Sequence, residues 1–65
     1  MADRFQYNDR VVVVVNETSD PIAQAHVGEE GRVRGFNRLE GKVGVELLKS
    51  GEKFELLERN LAPAP

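Results

Sequence analysis

Five consecutive valines, Val11 to Val15, constrain the fold of this 65-residue chain more than any other feature. Branching at Cβ restricts χ1, so such a run makes a poor helix and a good strand. Alternate side chains of a strand point to opposite faces, which groups Val11, Val13 and Val15 against Val12 and Val14. A strand needs neighbours, and the rest of the chain offers them. Lys42 to Leu47 alternates, with Val43, Val45 and Leu47 on one face and Lys42, Gly44 and Glu46 on the other. Gly31 to Phe36 sets Val33 against Arg32 and Arg34, and Lys53 to Leu57 sets Phe54 and Leu56 on its apolar side. Between Lys42–Leu47 and Lys53–Leu57, Lys49-Ser50-Gly51-Glu52 reads as a hairpin turn with glycine free to take positive φ.

The connections are punctuated by turn chemistry. Asn16-Glu17-Thr18-Ser19-Asp20-Pro21 opens a long link between the first two strands, and its proline cannot donate to a ladder. Ile22 to Val27 suits one irregular helical turn or a loop leg, and Gly28 and Gly31 bracket a tight turn at Glu29-Glu30. Asn37 to Gly41 is a polar turn holding Leu39. Glu58-Arg59-Asn60-Leu61 suits a single 3₁₀ turn, with Leu61 plugging one end and Ala62 to Pro65 forming an extended tail. Phe5 and Tyr7 alternate, so they line one face of a short strand or lie across the end of the fold.

Short strands, glycine-marked turns and no long helical period predict one small all-β domain over residues 1–65, a five-stranded barrel. Closure removes unpaired edges that a chain without a covering helix leaves open. The expected core is Val11, Val13, Val15, Val33, Val43, Val45, Leu47, Phe54, Leu56 and Leu61. A slip of one residue exchanges the two valine faces, so the pattern alone leaves that choice open.

Three segments carry a resemblance: Gly28-Glu29-Glu30-Gly31-Arg32-Val33, Gly41-Lys42-Val43-Gly44-Val45-Glu46-Leu47, and Phe54-Glu55-Leu56-Leu57-Glu58-Arg59-Asn60-Leu61. Together, over about residues 9–62, they resemble the SH3-like barrel superfamily. The order is similar to KOW-type domains and to the small SH3-like accessory subunits of photosynthetic complexes and of nitrile hydratase. The resemblance implies a 3₁₀ turn before the last strand and an accessory, binding role. Where KOW-type domains usually carry a basic run, this chain has acidic Glu29 and Glu30.

Composition narrows the function classes. At 40% hydrophobic and 31% charged residues the chain is too apolar for a disordered segment. With no cysteine it can form neither a disulfide nor a thiolate zinc site. The net charge of −2 lacks the basic balance of a typical nucleic-acid binder. No apolar run approaches the roughly 18 residues that span a bilayer, and Met1-Ala2-Asp3-Arg4 leads into no signal-type segment; cytoplasm is the expected compartment. His26 is the sole histidine and sits in no zinc or calcium spacing, so neither metal nor cofactor is expected. Ser19 and Ser50 lie in turns without a glycine elbow, and the carboxylates Glu29, Glu30, Glu52, Glu55 and Glu58 suit solubility. No catalytic constellation emerges, and the chain is expected not to be an enzyme.

Two binding readings remain. A domain this small buries only about 60% of the surface its unfolded chain exposes, so self-association or a host complex would support it. The first reading is a non-catalytic protein-binding module docking through its long loop, Glu17 to Val27, and the outward valines. Its candidate residues are Val12, Val14, Asp20, Ile22 and His26. Burying each valine is worth about 1.5–3 kcal/mol. The alternative is a nucleic-acid-binding barrel using a basic hairpin face of Arg32, Arg34, Arg38 and Lys42, with Phe36 beside it and Glu40 and Glu46 partly neutralising it. Aromatic residues make up 6% and tryptophan is absent, which argues against the aromatic groove that grips proline-rich peptides.

Overall fold

A computed structural model describes residues 5–15 and 20–65. The elements are β1 (Arg10–Val13), α1 (Pro21–His26), β2 (Glu30–Asn37), β3 (Lys42–Leu47), β4 (Lys53–Leu57), a 3₁₀ turn (Glu58–Asn60) and β5 (Leu61–Pro63). The five strands form one sheet in the order β4-β3-β2-β1-β5, and every neighbouring pair is antiparallel. The chain is thus mostly β, with five strands as expected, and one short helix, α1, stands beside the sheet. Among the described residues no ladder joins β4 to β5, so the pairing defines a five-stranded antiparallel sheet rather than a closed ring.

Pairing on both sides decides the valine register. Val12 lies opposite Glu30 on β2 and Ala62 on β5. That turns Val11 and Val13 inward to full burial and leaves Val12 and Val14 half-buried on the other face. The core also holds Val33, Val43, Val45, Leu47, Leu56 and Leu61, as the alternation predicts, and adds Phe5 and Ala23. Two expected members differ. Val15 is 38% exposed: it lies two residues past the end of β1, beyond the bond that Val14 N–H donates to the Asn60 carbonyl at 2.9 Å. Phe54 is half-buried and packs against the core from the edge strand. Phe5 and Tyr7 do not share a face: Phe5 is buried, and a turn stabilised by Asp9 N–H donating to the Gln6 carbonyl throws Tyr7 into solvent.

Two backbone features shape β2. A bulge between Val33 and Gly35 makes Arg34 an extra residue, since Val33 pairs with Val45 while Gly35 pairs with Gly44. Val33 and Phe36 therefore both reach the core side, a three-residue spacing that a regular strand does not allow. At Gly31 a Cβ would stand 2.5 Å from Val45 Cγ1 and 2.8 Å from the Glu46 carbonyl oxygen. β2 and β3 thus meet there at a distance only glycine permits.

The long connection resolves in part. Asn16 to Ser19, the start of the expected turn cluster and loop, lie outside the described residues. Beyond them α1 begins with a side-chain cap, Ile22 N–H donating to Asp20 Oδ1 at 2.9 Å, and with Pro21 in its first turn. Its apolar side puts Ala23 into the core and Ile22 against it. The 3₁₀ turn is anchored by Asn60, which is fully buried and donates from Nδ2 to the Val14 carbonyl at 3.1 Å. The hairpin turn between β3 and β4 matches its sequence signal, with Gly51 at φ 76 and its N–H donating to the Leu47 carbonyl at 2.9 Å.

Candidate docking face

Burial of Val11, Val13, Val33, Val45 and Leu56 turns the intervening residues to the opposite face of the sheet. Register then aligns Arg10, Arg32, Glu46 and Lys53 in one row across β1, β2, β3 and β4. The next row along the strands is Gly35, Gly44 and Glu55. The two glycines line a cleft of about 400 Å³ with Arg34, Lys53 and Glu55 of this face and with Phe36, Val45 and Phe54, whose side chains turn to the core side. Glu55 is steadied by Asn37, whose Nδ2 lies 3.4 Å from Glu55 Oε1.

The structure divides the first candidate set. Val12 and Val14 sit on this outward face, half-buried. Asp20 caps α1, and Ile22 packs on the core. His26 closes the helix against the sheet: its Nδ1 stands 2.9 Å from Glu29 Oε2, and its ring centroid lies 4.7 Å from that of Phe54. All three of these loop residues have work inside the fold.

The basic set also separates. Arg34 Nε donates to Glu46 Oε1 at 3.0 Å and its Nη1 to Asn8 Oδ1 at 3.0 Å, with its Cζ 5.9 Å from the Tyr7 ring centroid. The Glu46 carboxylate, and then Tyr7, raise the pKa of this guanidinium above its ordinary value. Arg32 donates to the Asn8 carbonyl at 3.2 Å. Asn8 has φ 77, and in that left-handed turn its backbone and side-chain oxygens hold the two arginines together. Arg38 lies over the Phe36 ring at 5.4 Å, and Lys42 pairs with Glu40 at 3.4 Å. Arg38 belongs to the β2–β3 turn and Lys42 is the first residue of β3, beyond the Gly35–Gly44 row, whereas Arg32 pairs with Glu46 near the other end of β3.

Sequence reasoning missed Arg10, which pairs with Glu30, together with Lys53 and the paired glycines. Adjacent strands each carrying an interior glycine were the available signal for the last; the cross-strand row has no local signal at all. Among the described residues no group of three or more acidic or histidine side chains could hold a metal ion. No helix among them is long and apolar enough to cross a membrane. A scan against protein-family models and searches of curated proteins and solved structures each return no match.

Proposed function

We propose that this chain is a non-catalytic protein-binding module, built as an SH3-like barrel, that docks through the outward face of its sheet. One observation carries the reading: the cross-strand pair Gly35 and Gly44. Glycine inside a strand costs roughly 0.5–1 kcal/mol relative to alanine. Neither residue has the positive φ that would require it, and a Cβ at Gly35 would meet nothing within 4 Å. At Gly44 the nearest atom to a Cβ is the Gly35 carbonyl oxygen at 3.6 Å, an ordinary contact. The adjacent bulge is not of the kind that requires a left-handed glycine, since neither residue has positive φ. Glycines that the chain's own packing does not need leave room for another molecule to approach the backbone.

Val12 and Val14 extend this face with half-buried apolar surface, so the valine side and the cleft form one docking surface. The barrel reading is supported by the strand order, in which β1 pairs with both β2 and β5, and by the 3₁₀ turn leading into β5. Close packing at Gly31 accords with a strongly bent strand. Absence of cysteine accords with a cytoplasmic setting. The reading involves no cofactor.

Affinity capture with the tagged chain from its own cell lysate, with and without nuclease and at moderate salt, tests it. A defined protein retained through nuclease treatment is the expected result. Recovery of nucleic acid alone, lost on nuclease treatment, would replace the module with a nucleic-acid binder.

A further inference from the structure

Resting on that docking face, we infer that its partner presents an extended acidic peptide segment, whose carboxylates are taken by Arg32 and Lys53 on either side of Glu46. Charge accounting on the face leads there. Arg10 is matched by Glu30 and Arg34 by Glu46. Among the described residues Arg32 bonds only a neutral carbonyl and Lys53 bonds no carboxylate, although both stand opposite Glu46, which Arg34 occupies. In a chain with a net charge of −2, two unmatched cations thus stand in one cross-strand row beside the cleft.

Geometry suits a peptide. Strands lie about 4.8 Å apart, so residues on β2 and β4 are separated by roughly 10 Å at Cα. Alternate side chains of an extended chain share one face about 7 Å apart, within reach of the long arginine and lysine stems. The Gly35–Gly44 floor gives the peptide backbone room to lie against the sheet. A single-stranded nucleic acid fits less well. Its charge recurs at every nucleotide and must cross Glu46 and Glu55, and the exposed ring nearest the row, Tyr7, already lies against Arg34. A peptide can set uncharged residues opposite those two glutamates.

The test is fluorescence anisotropy of the whole chain with a short labelled peptide of alternating glutamate and serine. Its glutamine counterpart and an oligothymidylate of similar length serve as comparisons. The acidic peptide should bind, the glutamine peptide should not, and combining Lys53→Glu with Arg32→Gln should weaken binding about tenfold. Lys53 is exposed, so the neutral Lys53→Gln alone should weaken binding with little change in the melting temperature, without setting a like charge opposite Glu46. Preference for the oligothymidylate, or failure of the acidic peptide to bind, overturns the inference. A captured protein partner retained by the double variant but lost by Gly35→Val would also overturn it, while leaving the docking face intact.

Discussion

Gly31 and Asn60 show how a single residue can be fixed by partners far away in sequence. The glycine spacing around Glu29-Glu30 marks a turn there, but the turn lies earlier, at Val27 and Gly28; Glu30 and Gly31 already belong to β2, and Gly31 is demanded by the Val45 side chain and the Glu46 carbonyl across the ladder. Gly31→Ala should therefore destabilise the fold by about 1–3 kcal/mol, read as a lowered urea midpoint, because the added methyl meets backbone that cannot retreat. Asn60 sits in a 3₁₀ turn legible from Glu58 to Leu61, but its burial and its bond to the Val14 carbonyl depend on a strand 46 residues earlier. Asn60→Ala should cost about 1–3 kcal/mol in thermal or chemical unfolding, since it leaves a carbonyl at the end of β1 without its donor.

At the scale of elements, β2, β3 and β4 were readable because a period of two survives wherever one face is buried. β1 was readable as a strand, but its inward face was set by pairing with both β2 and β5, and its end at Val13, two residues before the valine run stops, has no mark in the run itself. The bulge at Arg34 leaves no trace in the pattern, although it carries Phe36 to the core side. Helix α1 spans six residues, too few to establish a 3.6-residue period, so the sequence left it between helix and loop. Its Asp20-Pro21 start is nonetheless a cap followed by a first-turn proline. Asp20→Ala should lower stability by about 0.5–2 kcal/mol in urea unfolding, and Asp20→Asn should lower it much less, because asparagine can accept the same Ile22 N–H.

The docking face emerges only in the whole molecule. Arg10, Arg32, Glu46 and Lys53 come from four strands and meet through register, as do Gly35 and Gly44. Reading the sequence found Arg32 and Arg34 but grouped them with Arg38, in the β2–β3 turn, and Lys42, at the start of β3. It also placed Asp20, Ile22 and His26 among binding residues, whereas helix capping, core packing and contact with Phe54 occupy them in the folded chain. Val12 and Val14 keep the outward place that alternation allowed them.

Gly35→Val puts the account of that face to its most direct test. Open space around the Gly35 Cβ position and the absence of positive φ predict a folded variant that melts no lower than the parent. Capture of the protein partner should nonetheless be lost, because the side chain fills the cleft floor. A variant that melts normally and captures the partner as well as the parent does would contradict docking on this face.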